Sequence, residues 1–233
     1  MLSSKEFVAG LKASNEALFK ASQINVRAYF DSKPSEQQLV DHFVGRMVNE
    51  RLNMVEIAQG IATMPHDTPV EELQLLTKQA HDEANHFRMV KEVIEHITGT
   101  PLDVDAAIKA EAAKPTAKGA DLLKKYEAET DALALAVYQL VAEGRAEAVW
   151  QEMADSIDDD FISRTYAKIA RDEGFHAHIG ALKLERLIKT QADCERAEAL
   201  AKQMRQDLYD ISCNNTVAAP AARALVAEAY GWH

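Results

Sequence analysis

Two five-residue stretches carry the residues best placed for chemistry: Asp82-Glu83-Ala84-Asn85-His86 and Asp172-Glu173-Gly174-Phe175-His176. In each, a Glu stands three residues before a His. On an α-helix that spacing puts both side chains on one face, one above the other. A carboxylate and an imidazole so placed can grip a metal ion from one side. Two such grips facing each other can hold two ions when two further carboxylates bridge or cap them. The chain offers those as well: Glu50 lies thirty-three residues before Glu83, and Glu143 thirty before Glu173. The pattern reads as one unit used twice, a helix with Glu followed by a helix with Glu-x-x-His.

Helices must carry these residues, and their apolar periodicity marks them out. A first amphipathic helix spans residues 3 to about 30, with Phe7, Leu11, Leu18 and Phe19 on one side and a Ser-Ser start able to cap it. Pro34 disfavours helical geometry at Lys33 and ends that segment. A second helix runs from about 36 to 63 with Val40, Phe43, Met47, Met54, Ile57 and Ile61 as its stripe, and Glu50 sits where an apolar residue is due. A charge in a buried stripe is costly unless it is paired, protonated or bound to metal. A third helix, about 70 to 98, carries Glu83 and His86 in its stripe and stops at Gly99-Thr100-Pro101. Residues 100 to 120 form a long crossover with breaks at Pro115 and Gly119. The fourth helix, about 121 to 156, holds Glu143. The fifth opens on Asp158-Asp159-Asp160, where negative charge suits a helix start, and runs to about 190 with Glu173 and His176 in its stripe. Helices at about 192 to 212 and 219 to 230 follow. With the first helix they are expected to pack outside a four-helix core at about 36–190, the whole of 1–233 forming one domain.

Composition supports an all-α chain: Ala, Leu, Glu and Lys are common, with only nine Gly and six Pro in 233 residues. The formal net charge of −11, with no dense Lys/Arg run, argues against a nucleic-acid partner. The two cysteines, Cys194 and Cys213, form no Cys-x-x-Cys, which argues against disulfide scaffolds, zinc knuckles and rubredoxin-type iron centres. No long uncharged apolar run points to a membrane span, and the first residues lack a signal-peptide h-region, so a cytoplasmic location is expected.

A lone Glu-x-x-His arises often in Glu-rich helices. Four long helices each with an acid in an apolar stripe, two of them adding His three positions on, form a much more specific set. The set Glu50, Glu83-x-x-His86, Glu143 and Glu173-x-x-His176 resembles the ferritin-like di-iron carboxylate superfamily, over the four core helices and not the terminal ones. The resemblance implies a ferritin-like four-helix bundle with extra N- and C-terminal helices, and two metal ions, iron first, with manganese or a mixed pair using the same ligand types. It implies that His86 and His176 bind one ion each and that the four Glu cap or bridge, leaving open which of them bridge. Asp82 and Asp172 look like the family's outer acids, which accept a hydrogen bond from the non-ligating imidazole nitrogen. Asp82 is expected to pair with His176, and Asp172 with His86.

Two positions depart from family patterns. The radical-generating subunit of ribonucleotide reductase carries a Tyr four residues after its first ligand His, where this chain has Val90. Bacterial multicomponent hydroxylases commonly have a Thr four residues after the third ligand Glu, where this chain has Glu147, read as an extra ligand, a proton relay or a flanking carboxylate. Gly144 and Gly174 directly follow two of the Glu; each makes room for a ligand or helix distortion, or simply for tight packing. The remaining histidines, His42, His66, His81, His96, His178 and His233, lack a stripe position or a partner acid.

The leading expectation is an enzyme that activates dioxygen at a dinuclear non-haem iron site to oxidise or hydroxylate a small organic or carrier-bound substrate. Met47, Met54, Phe87, Leu140, Tyr166 and Ile169 are the apolar neighbours expected around its pocket. No nucleotide-binding Gly-rich fingerprint occurs, so electrons would come from an external reductase or ferredoxin. A monomer or homodimer fits this reading. The alternative is a ferroxidase, iron-handling or peroxide-reducing ferritin-like protein, and a third is a metal-free helical interaction module.

Overall fold

A computed structural model describes residues 3–115, 118–128, 130–215 and 218–232. Those residues form helices and connecting turns, with no strand among them. No described helix is long and apolar enough to cross a membrane.

Local sequence sets the helix ends. Ser3 and Glu6 close a capping box at the start of α1 (Ser4–Ala13). The single N-terminal helix expected from the sequence is two: α1 stops at Ser14-Asn15 and α2 runs Glu16–Asp31. The break has a cause, because Arg205 Nη1 donates to Ser14 Oγ and to the buried Asn15 Oδ1, both at 2.9 Å. A second capping box, Ser35 with Gln38, starts α3 (Glu36–Ala62). The next helix, α4 (Val70–Thr98), ends at Gly99, whose φ of 66° glycine takes without strain. The crossover contains a short helix, α5 (Val104–Ala112), capped by Asp103.

The fourth long helix is more broken than its sequence suggests. A short α6 (Asp121–Lys125) ends in a turn where Glu127 takes a φ of 53°. The chain restarts at Asp131, whose carboxylate accepts from Leu133 N and Ala134 N at 3.0 and 3.1 Å. It then runs as α7 (Ala132–Tyr138), a π-helical segment Gln139–Glu143, and α8 (Gly144–Ser156). Asp159 caps α9 (Asp160–Leu187), and α10 (Gln191–Asn215) and α11 (Pro220–Tyr230) complete the chain.

Helix α3 packs along α4, the α7–π–α8 run packs along α9, and α4 meets α9 to join the two pairs. The terminal helices cover this arrangement: α2 lies on α8, α11 on α2, and α10 on α7 and the π segment. One apolar cluster is built from α1, α7 and α10 residues such as Leu11, Val137 and Met204. Another is built from α3, α4, α8 and α9 residues such as Phe43, Val93, Trp150 and Tyr166. Along α9 the first cluster ends at Leu184 and the second at Ala170, with Glu173 and His176 between them.

Candidate metal centre

Six fully buried side chains meet at the centre of the four long helical runs: Glu50 from α3, Glu83 and His86 from α4, Glu143 from the π segment, and Glu173 and His176 from α9. They form two overlapping groups. Ligand atoms of Glu50, Glu83, His86 and Glu173 lie within 4.8 Å of one another, as do those of Glu83, Glu143, Glu173 and His176. Glu83 and Glu173 belong to both groups, so they stand between the two positions while Glu50 and Glu143 each serve one end. The division into shared and terminal carboxylates, open from the sequence, follows from this overlap.

Both imidazoles turn Nδ1 inward. His86 Nδ1 lies 3.6 Å from Glu50 Oε2, 3.7 Å from Glu83 Oε2 and 3.4 Å from Glu173 Oε1. His176 Nδ1 lies 3.4 Å from Glu83 Oε1 and 3.0 Å from Glu173 Oε2. Both turn Nε2 outward to an acid on the other helix. His86 Nε2 is 3.3 Å from Asp172 Oδ2, and His176 Nε2 is 3.2 Å from Asp82 Oδ2. Each Asp is held in turn by a lysine one turn earlier on its own helix, Asp82 by Lys78 and Asp172 by Lys168. An imidazole whose Nε2 proton is fixed on a carboxylate presents the Nδ1 lone pair to the cluster.

Electrostatics follow from this geometry. Burial pushes the Glu50 carboxyl up to about 8, against the pull of His86. Burial, reinforced by the carboxylates of Glu173 and Glu83, holds Glu143 well above the usual carboxylate range. Burial would raise Glu173 too, but the two imidazoles bring it down to about 2. Burial opposes charging the rings, yet Asp82 and Glu173 raise His176 to about 10, and Asp172, Glu173, Glu50 and Glu83 hold His86 well above its ordinary value. Without a metal, the cluster thus biases Glu50 and Glu143 toward their neutral forms and the two rings toward their charged forms.

The cluster nevertheless leaves polar atoms unmatched. Glu50 Oε2, both Glu83 oxygens and His86 Nδ1 are buried with no hydrogen-bond partner among the described residues. Unpaired buried acceptors are costly, and a cation between them removes that cost. Two divalent ions would bring the four positive charges that the four glutamates, once ionised, require. The donor set of carboxylate oxygens and imidazole nitrogens suits iron or manganese and lacks the thiolates of softer sites. The residues fit a di-metal centre.

The supporting residues explain two features. Glu143 accepts from Gln79 Nε2 at 3.1 Å, and Gln139 Nε2 donates to Gln79 Oε1 at 2.6 Å, so a buried amide chain fixes one terminal carboxylate. Gly180 of α9 faces the start of the π segment. A Cβ there would lie 2.7 Å from Ala136 O, Gln139 Cβ and Leu140 N. The absence of a side chain at 180 lets α9 approach the segment that delivers Glu143.

Several expected site residues lie elsewhere. Glu147 is exposed and belongs to neither group; its carboxylate lies over Gly174, where a Cβ would come within 2.7 Å of it. Gly144 makes room for the Phe19 ring rather than for a ligand. None of Met47, Met54, Phe87, Leu140, Tyr166 and Ile169 lines the large cavity beside the cluster. That cavity, of about 400 Å³, reaches Glu50, Glu143 and Glu173 and is bounded instead by α2, α3, the crossover, α8 and α10. Its α3 wall is His42, Arg46, Asn49 and Asn53, a polar stripe at helical spacing beside the apolar one, and that period was the available signal. Of the other histidines, His96 pairs with Asp159 at 3.0 Å, His178 is exposed, and His233 lies outside the described residues.

Comparisons of the chain with protein-family models, with curated proteins and with solved structures return no match.

Proposed function

We propose that the chain is a di-metal oxidoreductase of the ferritin-like carboxylate type, which uses dioxygen to oxidise a small organic molecule. The observation that carries this reading is the pair of overlapping ligand groups sharing Glu83 and Glu173. Held by Glu50, Glu83, His86, Glu143, Glu173 and His176, two ferrous ions would supply the reducing electrons for dioxygen and so the oxidising power for the substrate.

The chain's own residues do the rest. His86 and Glu50 hold one end of the centre, His176 and Glu143 the other, with Glu83 and Glu173 between. Asp82 and Asp172 keep the outer proton on each ring, so Nδ1 stays free to ligate. Gln79 keeps Glu143 in place. The apolar clusters on either side exclude bulk water, which strengthens every electrostatic interaction at the site. A cavity of about 400 Å³ touching three of the ligand carboxylates favours oxidation of a bound molecule over iron storage, which needs no such chamber. Reducing equivalents come from a separate reductase or ferredoxin, in a cytoplasmic setting that keeps Cys194 and Cys213 as thiols.

Anaerobic loading with ferrous iron, ion counting and then oxygen uptake test the proposal. Two ions per chain and iron-dependent oxygen consumption are expected, both lost in the His86→Ala/His176→Ala double variant. Absence of tight metal, or undiminished binding in that variant, overturns it.

A further inference from the structure

The cavity beside the cluster has an unusual balance of polar groups. Two guanidinium groups line it, Arg46 from α3 and Arg145 from α8. The described arginines that form ion pairs are others: Arg27 with Glu152, Arg88 with Glu92, and Arg196 with Asp131. Arg46 lies over the Trp150 ring, 4.9 Å from its centroid. Among the described residues Arg145 is held by two hydroxyls: Nε donates to Ser22 Oγ at 2.9 Å and Nη2 donates to Ser212 Oγ. Of the four cations that line the cavity, Lys114 and Lys118 pair with Glu111, while Arg46 and Arg145 form no ion pair among the described residues and their like charges repel. A neutral donor adds to the excess. Trp150 Nε1 and the ring nitrogen His42 Nε2 are buried, their residues line the same cavity, and neither atom has a hydrogen-bond partner among the described residues. An indole N–H can only donate.

Of the five carboxylates on the wall, Glu50, Glu143 and Glu173 belong to the cluster at its inner end, and the other two are engaged elsewhere. Glu111 is held between Lys114 and Lys118 at 2.6 and 2.5 Å, and exposed Asp41 accepts from Gln37 at 3.0 Å. Arg46 stands one turn before Glu50, which favours the charged guanidinium without pairing with it, while Arg145 rests on serines. Both guanidinium groups are half-buried and neither forms an ion pair among the described residues, so an anion entering between them relieves their partial desolvation and their repulsion. The planar fork of Arg matches a carboxylate, which it can bind through two parallel hydrogen bonds. The remaining wall includes Val26, Phe30, Ala146 and Val149, which suits an apolar body rather than a compact dianion. The acidic cluster at the inner end further disfavours a doubly charged phosphate.

We propose that the cavity binds a small organic carboxylate, its anionic end on Arg46 and Arg145 and its apolar body along Trp150 and Val149. As a binding site this stands on the cavity alone. As the substrate of the oxidation it rests on the di-metal reading.

The test uses the full chain, metal-free and iron-loaded. Benzoate and hexanoate are titrated against their neutral isosteres benzamide and hexanamide, and against inorganic phosphate. Binding is followed by calorimetry and tryptophan fluorescence. The carboxylates are expected to bind at least ~10-fold more tightly than the amides, as charge-assisted hydrogen bonds require. Arg46→Gln and Arg145→Gln should each remove most of that discrimination while leaving the ion count per chain unchanged. Equal affinity for acid and amide in the unmodified chain, tighter binding of phosphate, or no binding of either acid overturns the proposal. The two readings fail separately. Selective carboxylate binding by a chain that takes up no metal sinks the di-metal reading and leaves the anion site. Two bound ions without carboxylate selectivity sinks the anion site alone.

Discussion

Replacing Gly180 with alanine tests whether the close approach of α9 to the π segment holds the site together. The added Cβ would meet Ala136 O, Gln139 Cβ and Leu140 N, each at 2.7 Å, where ordinary contact begins at 3.4 Å. The difference, 3.4 − 2.7 = 0.7 Å, must come from movement of α9 or of the opposing helix, because two of the three atoms are backbone. Overpacking of this kind costs about 1–3 kcal/mol. Exchanging Gly for Ala inside a helix by itself returns about 1 kcal/mol, leaving a net loss of up to roughly 2 kcal/mol. For a chain of this length that lowers Tm by up to about 8 °C. Thermal and denaturant unfolding followed by helical circular dichroism give the value. Gly10→Ala is the internal control: it lies in α1 with nothing within 4 Å of an added Cβ, and should stabilise by up to ~1 kcal/mol. The displacement also moves the segment carrying Glu143, so iron uptake should fall below two ions per chain. A Gly180→Ala protein that unfolds at or above the temperature of the unmodified chain would refute the reasoning.

Three further outcomes follow from the cluster. Glu50, raised from 4.5 to about 8, contributes stability that is fully present below 4.5 and lost as pH rises through 8; His176, raised from 6.5 to about 10, contributes stability lost as pH rises through 10. The metal-free chain should therefore lose Tm between about pH 5 and pH 10 on both counts, and a Tm that rises across that window speaks against the proton-loaded cluster. Because metal ligation needs the deprotonated forms, loading two divalent ions near pH 7 should release up to about four protons, from Glu50, Glu143, His86 and His176. Calorimetry in buffers of different ionisation enthalpy reads that number, and release of none is incompatible with these ligands. Asp82→Ala and Asp172→Ala should each weaken metal affinity about 10–100-fold while leaving the helical spectrum intact; a metal titration with unchanged midpoint removes the two acids from any positioning role.

The helices were legible because burial imposes a 3.6-residue period that Phe43, Met47 and Ile57 or Tyr166, Ile169 and Leu184 display in the sequence. Helix caps were legible where chemistry is local, as at Ser3, Asp159 and Gly99-Thr100-Pro101. The six cluster residues stood out because a carboxylate in an apolar stripe breaks the pattern. What the sequence hid was tertiary. The α1–α2 break depends on Arg205, some 190 residues away. The restart at Asp131 and the π segment depend on packing against α9 that no local window contains. Whether Glu83 and Glu173, rather than Glu50 and Glu143, are shared depends on which helices face each other. The cavity's position was not legible from the apolar stripes because much of its wall is polar, with Arg46, Asn49 and Arg145 brought together from α3 and α8 only by packing.

The π segment has a consequence for how such a chain arises. Gln139–Glu143 winds one residue more loosely than the α-helices on either side. Removing one residue there would turn everything on one side of the deletion by about 100° relative to the other. Glu143 would leave the centre, and three acids would remain where four now meet. One end of the cluster would then keep its His but lose its terminal carboxylate. A single inserted codon is thus enough to separate a bundle that gathers four glutamates at one point from one that gathers three. The two halves of the chain, alike in their Glu-x-x-His helices, differ in that the Glu of the second half comes from a π segment and that of the first from the unbroken helix α3.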